Sequence, residues 1–225
     1  VNPAIYKKLP YDHLKDFAPV SLIGTVPNAM VVHPSVPVKT MQEFITYAKA
    51  NPGKINYGSS GVGSPPHLSM ELLRSMTGIN LVHVPYKGAG PALADLLGGQ
   101  VQAMCTSLAG LINFIKSGRV RALGVTTAKR NPQLPEVPTI VESGVPGYEV
   151  TIWYAVFAPV ATPKAIVQKL NSEMVKALNS PEMKERMALQ GMDPAPSTPA
   201  ELAAFVQLET AKWAKAAKDS GATAE

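Results

Sequence analysis

The sequence predicts an α/β fold, and three observations carry that reading. Residues 54–127 alternate strand and helix three times over, which argues a parallel sheet with helices against it. A Gly/Ser loop at 58–64 sits between a short apolar strand and a helix that starts at Pro65 and Pro66. After Ala128 the chain becomes a proline-dotted connector and then mostly helix, the texture of a second lobe.

The elements follow in order. Residues 1–11 are a lead-in holding proline and tyrosine. Residues 17–23 read as a strand, 24–27 as a turn or bend, and 29–33 as a second apolar strand piece. Thr40 and Glu43 form a Thr-x-x-Glu capping box for a helix with Met41, Phe44, Ile45 and Ala48 on one face. Asn51-Pro52-Gly53 stops it. Residues 55–57 are a strand, and the helix after the loop carries Leu68, Leu72, Leu73 and Met76 up to Gly78. Residues 81–84 are a strand, 85–90 a second glycine-bearing loop, and Leu93, Leu96 and Leu97 mark a short helix ended by Gly98-Gly99. A strand at 101–106 precedes Leu108, Leu111, Ile112 and Ile115, whose spacing is helical. A strand at 120–126 closes this part. Beyond the connector at 131–147, residues 149–157 are a mixed apolar strand. Helices start at Thr162-Pro163, at Ser180-Pro181 and at the capping box Thr198-Pro199-Ala200-Glu201, the last fraying near Gly221. Lobe boundaries are expected near Val26 and Val125, with lobe one formed by 1–26 and 126–225 and lobe two by 27–125.

Composition narrows the function. The chain has 225 residues, 46% hydrophobic and 16% charged, with net charge +5. The lysines are scattered, with no basic run and no aromatic interleaving, which argues against nucleic acid. A modest positive field suits a small anion. Cys105 is the single cysteine, so neither an internal disulfide nor a cysteine metal cluster forms. Histidines 13, 33, 67 and 83 show no metal-ligand spacing, and no cofactor is implied. No apolar run approaches the ~18 residues of a membrane helix. The chain opens on Val1-Asn2-Pro3, with no Met and no signal peptide, which is expected of a processed or truncated product.

The loop 58–64 has two readings. As a ligand cradle, its glycines allow close backbone approach, Ser59, Ser60 and Ser64 supply hydroxyls, and the helix start favours an anion. As plain structure, it is a tight connection with serine caps. It lacks the third glycine of a dinucleotide fingerprint, the Gly-Lys-Ser/Thr of a P-loop, and the spacing of a nucleophile elbow. The loops at 58–64, 85–90 and 105–107 all end strands and can point into one crevice. A hydrolase reading needs a base beside Ser59 or Ser60, for which His67 or His83 are the candidates, with no carboxylate placed to orient either. His67 is either a carboxylate donor or a packing and capping residue. Lys87 is either a ligand cation or a solvated loop lysine. Tyr86 either stacks or is half-buried structure, Trp153 walls a cleft or belongs to the core, and His33 and His83 read as structural.

Several blocks are specific together: Lys8-Leu9-Pro10-Tyr11-Asp12, Asp16-Phe17-Ala18-Pro19-Val20, Asn56-Tyr57-Gly58-Ser59-Ser60-Gly61, His67-Leu68, Val84-Pro85-Tyr86-Lys87-Gly88, Asp95-Leu96-Leu97-Gly98-Gly99 and Leu134-Pro135-Glu136-Val137-Pro138-Thr139. Across essentially its whole length the chain resembles the periplasmic solute receptors of tripartite tricarboxylate transporters, often called Bug receptors. The resemblance implies a type II periplasmic binding-protein fold, two lobes with a hinge, and a small organic carboxylate held between them. It implies a periplasmic location, a removed signal peptide, a membrane permease as partner, and no catalysis. Carried over by position, Ser59, Ser60, Gly61, Gly63, Ser64 and His67 would grip one end of the ligand. Tyr86, Lys87, Gly88 and Ala89 would border it, with Cys105, Thr106, Ser107 and Trp153 nearby. Family members often carry an Asp-Asn pair where Cys105-Thr106-Ser107 stand, so a plain dicarboxylate or aromatic acid is favoured over an amino-group ligand. Family members also have strand–helix units before Asn2-Pro3-Ala4-Ile5-Tyr6, so the first lobe is expected to be N-terminally incomplete. A degenerate fragment that binds nothing is the remaining alternative.

Overall fold

The computed structural model describes residues 2–6 and 8–220. The chain divides into two compact units. Of the described residues, unit 1 holds those up to Val26 and Ile152–Lys215, and unit 2 holds Pro27–Thr151 and residues 216–220. Residues 126–151, which the sequence groups with lobe one, pack within unit 2. Thr126 N–H donates to Asn28 O at 3.0 Å, and Val125 pairs with Thr139 in a parallel bridge.

Unit 2 is a mixed sheet with helices on both faces. Its strands are the second half of β1 (Phe17–Val32), β2 (Asn56–Ser59), β3 (Val82–Pro85), β4 (Ala103–Ser107) and β5 (Arg121–Val125), in the order β3-β2-β4-β1-β5. β2 pairs in parallel with β3 and with β4, as the alternation predicts. β1 lies outside the alternating stretch 54–127 and is antiparallel to both β4 and β5, so the whole sheet is mixed. Residues 28–32 are wholly buried, as a strand covered on both faces requires. β1 therefore enters the sheet at the edge where β2 to β5 end, and it brings Asn28 to that edge.

The two faces differ in chemistry. Ala29, Val31 and Met104 pack with Ala92 and Leu96 of α4 (Ala89–Leu97) and with Leu108 and Leu111 of α5 (Leu108–Lys116) in an apolar core. Side chains alternate across a strand. Tyr57, Ser59, Cys105 and Ser107 thus point the other way, toward the side where α3 (Pro65–Thr77) covers the sheet. Tyr148 Oη donates to Ser69 O of α3 at 3.0 Å. α2 (Met41–Ala50) begins as its capping box predicts, with Glu43 N–H donating to Thr40 Oγ1 at 3.1 Å.

Unit 1 contains the short α1 (Asn2–Ile5), the first half of β1, β6 (Thr151–Pro159) from Ile152 on, α6 (Lys164–Leu178), α7 (Pro181–Leu189), β7 (Asp193–Pro194) and α8 (Pro199–Ser220) as far as Lys215. Both β6 and β7 pair with β1. The capping box of α8 is reciprocal: Thr198 N–H donates to Glu201 Oε2 at 2.8 Å, and Glu201 N–H to Thr198 Oγ1 at 3.2 Å. The fraying expected near Gly221 lies outside the described residues.

The turn expected at 24–27 is absent. β1 is one 16-residue strand, and Gly24 serves close approach instead of a bend. Gly24 pairs with Pro194, and a Cβ there would lie 2.7 Å from Asp193 O and 2.7 Å from Met187 Cε. The methionine has room to yield, but the backbone carbonyl does not. Gly24→Ala should therefore lower the unfolding free energy by about 1–3 kcal/mol through overpacking. Urea unfolding measures this, and an unchanged midpoint would refute the close-approach account.

Candidate functional site

The C-terminal ends of β2, β3 and β4 are each followed by a helix, after short loops at β2 and β3 and directly at β4, and these three junctions lie at one edge of unit 2. At the first, β2 ends at Ser59 and α3 begins at Pro65 with Ser64 as N-cap. The serine does not cap with its side chain: Ser64 Oγ donates to Gly61 O at 2.6 Å. Pro65 and Pro66 carry no N–H, so the α3 terminus offers fewer donors than the sequence suggests. Gly61 and Gly63 have φ of 126° and 74°, which lets the loop fold back on itself. Ser59 is fully buried. Its Oγ accepts from Gly61 N–H at 3.1 Å and lies 2.6 Å from His83 Nε2. Ser60 is half-buried and Val62 exposed, so this part of the loop faces outward.

His67 is buried on the first turn of α3, and its Nδ1 accepts from Gly63 N–H at 3.0 Å. Its ring stacks on His83, which stacks on Tyr57. Tyr57 Oη donates to Glu71, whose carboxylate also pairs with Arg74 at 2.6 Å. Burial keeps both histidines neutral: it lowers His67 from its ordinary value and brings His83 down to about 4.

At the second junction Tyr86 N–H donates to Ser59 O at 3.0 Å, and its phenol donates to Asp95 Oδ2 at 2.6 Å. Its pKa rises to about 12, through burial first and then Asp95. Lys87 and Ala89 are exposed, and Gly88 caps α4 with φ of 120°.

At the third junction Ser107 is the N-cap of α5 without a side-chain cap bond, so its hydroxyl satisfies none of the first-turn N–H groups of Leu108, Ala109 and Gly110. Thr106 is buried on the opposite face from Ser107. Cys105 is buried below Ser69 and Tyr148, and burial pushes its thiol up to about 12, so it is an inert packing group.

Asn28, which sequence reasoning missed, lies directly across from Ser107 in the β1–β4 register. Its backbone is locked: its N–H donates to Thr126 Oγ1 at 3.3 Å, and its carbonyl accepts from Thr126 Oγ1 and N. Its side chain is wholly buried, yet neither Oδ1 nor Nδ2 has a hydrogen-bond partner. A buried orphan amide costs about 1–3 kcal/mol. An Asn next to Pro27 inside an apolar strand is the signal that was available.

Trp153 belongs to unit 1. Its ring meets Phe205 edge-on, and its Nε1 donates to Glu209 Oε2 at 3.2 Å, an acceptor shared with Trp213. The remaining sequence-predicted residues all lie in unit 2.

This arrangement offers uncharged donors to an anion. It offers little to nucleophilic catalysis, because Ser59 has no exposed surface and His83 is a weak base. Among the described residues no group of three His, Cys, Asp or Glu side chains is placed to hold a metal, and no helix is long and apolar enough to cross a membrane.

The profile of a family described as the tripartite tricarboxylate transporter family receptor matches residues 1–221. A Pseudomonas sp. (strain P51) protein, described as a UPF0065 protein in the tcbD-tcbE intergenic region, is 41% identical over 216 residues, 96% of this chain and 64% of its own length. The chain thus spans less than two thirds of that relative's length. Among solved structures, R. palustris Rpa4515 with adipate superimposes with TM-score 0.85 at 40% identity, over 99% of this chain and 74% of that one. The periplasmic binding protein BugD gives 0.83 at 36% identity, over 99% and 75%. The fold is that of two-lobed periplasmic binding proteins, and the chain belongs to the tripartite tricarboxylate transporter receptor family.

Proposed function

We propose that this chain acts in a periplasmic solute receptor that captures a small organic carboxylate and presents it to a membrane permease. The observation that carries this reading is the orphan amide of Asn28 opposite Ser107, at the N-terminus of α5. A desolvated amide donor near a helix start that has no side-chain cap is matched to an anion. Ser60 and the outward part of the 59–64 loop supply a second gripping point, with Lys87, Gly88 and Ala89 at the rim. The uncharged lining suits a dicarboxylate of the adipate kind, the ligand of the similar Rpa4515 structure. No bond is made or broken in this role.

A thermal-shift and calorimetric titration with adipate and shorter dicarboxylates tests the reading. A ligand at 100 times its dissociation constant adds about 2.7 kcal/mol to folding stability. The expected result is a rise in melting temperature that saturates with ligand. A folded chain that shows neither a shift nor heat with any dicarboxylate would sink the proposal.

A further inference from the structure

The sequence leaves His67 as either a carboxylate donor or a packing and capping residue, and the structure sets its ring against the turn at Gly63. Its Nδ1 takes the Gly63 N–H at 3.0 Å, in the turn that carries Ser60 and Val62 outward. A backbone N–H is a fixed donor that cannot rotate away, so Nδ1 must present a lone pair and the ring is the neutral Nε2–H tautomer. The neighbouring bonds are consistent with this. Gly61 N–H donates to Ser59 Oγ, Ser64 Oγ donates to Gly61 O, and the Ser59 hydroxyl lies within reach of both Gly61 O at 3.1 Å and His83 Nε2 at 2.6 Å.

We propose that His67 is a positioning residue that latches the 59–64 loop through Gly63, and that protonation of its ring opens the loop and weakens carboxylate capture. This rests on the carboxylate reading above. A protonated Nδ1 would set an N–H against the Gly63 N–H, two donors with no acceptor between them. Groups around the ring resist that proton. The His83 ring of β3 lies 3.9 Å away, centroid to centroid, with Tyr57 of β2 beyond it. Burial is the main cause of the lowered pKa, the Arg74 charge adds to it, and Glu71 on the same helix opposes it. The folded state therefore favours the neutral ring. The latch holds at and above pH 6.5, the ordinary histidine value, and opens as pH falls through the lower native value.

Two variants separate latching from mere packing. In His67→Asn, Oδ1 stands close to the Nδ1 position and accepts without titrating. In His67→Phe, the stacked ring remains without an acceptor. The protection of the Gly63 amide is followed by NMR hydrogen exchange in the ligand-free 225-residue chain, and adipate affinity by calorimetry from pH 7.5 to 4.5. At pH 7.5, His67→Asn should bind adipate within about threefold of wild type, and His67→Phe about tenfold or more weakly. As pH falls, wild type should lose affinity relative to His67→Asn, approaching about tenfold per pH unit once the ring is protonated. Comparison with His67→Asn removes the titration of adipate itself. Unchanged binding by His67→Phe, or a Gly63 amide whose protection ignores the ring's protonation, would overturn the latch. A Gly63 amide that follows the ring in a chain that binds no carboxylate would count against the carboxylate reading alone.

Discussion

Replacing Asn28 with leucine is expected to leave the unliganded chain as stable as wild type or more so, while adipate affinity falls about 10- to 100-fold. The two halves of this result have one cause. The Asn28 amide is buried with both polar atoms unpaired, so the unliganded fold carries its desolvation cost without a compensating bond. Leucine is close in shape and has nothing to desolvate, so the substitution removes about 1–3 kcal/mol of that cost. A hydrogen bond to a charged group contributes about 1.5–3 kcal/mol, which sets the loss of affinity. Asn28→Asp should weaken capture further, because it places a second negative charge at the carboxylate. Urea unfolding without ligand and calorimetry with adipate measure the two halves separately. If Asn28→Leu binds adipate as wild type does, Asn28 is no ligand contact. If it strongly destabilises the empty chain, the amide is a structural group.

Arg74→Met is expected to destabilise the chain by about 3–5 kcal/mol, more than most single substitutions. Glu71 is 3% exposed and accepts from Arg74 Nη1 and from Tyr57 Oη. Removing the guanidinium strands a buried carboxylate with a phenol alone. Burial, then Glu71, already pushes the Tyr57 phenol far above its ordinary value, so Tyr57 offers its proton as a donor but does not give it up. The pair itself is imperfect, since Arg74 Nε is buried without a partner. Glu71→Gln/Arg74→Met should therefore recover most of the loss, as replacing both partners of a buried pair often does. A double-mutant cycle in urea gives the coupling energy. Losses that simply add would mean the two side chains act independently and the pair is unimportant.

The architecture of residues 54–127 could be read from the chain because it is built on local signals. Strand runs, helical spacing at Leu108 to Ile115, the Thr40 and Thr198 caps and the glycines at helix ends each concern neighbours in sequence. The same holds for the Gly/Ser loop between β2 and α3. β1 could not be read this way. Gly24 looked like a turn because a glycine's close approach to Asp193 O, 169 residues away in number, leaves no local mark. The short β7, two residues long, has no pattern of its own to detect.

The site divides along the same line. By itself the sequence determined the α/β class, the family blocks, an uncharged loop rich in donors and the lack of a carboxylate at 105–107. Tertiary structure alone decided what each side chain does. It turned His67 under the loop toward Gly63, tied Trp153 to Glu209 on α8, and set Cys105 and Thr106 on opposite faces of β4. It also inserted β1 antiparallel between β4 and β5, which carried Asn28 to the N-terminus of α5. The physical reason is that periodicity and capping depend on residues a few positions apart. Strand order and register bring together residues about 80 to 100 positions apart, and only the packed sheet fixes those pairings.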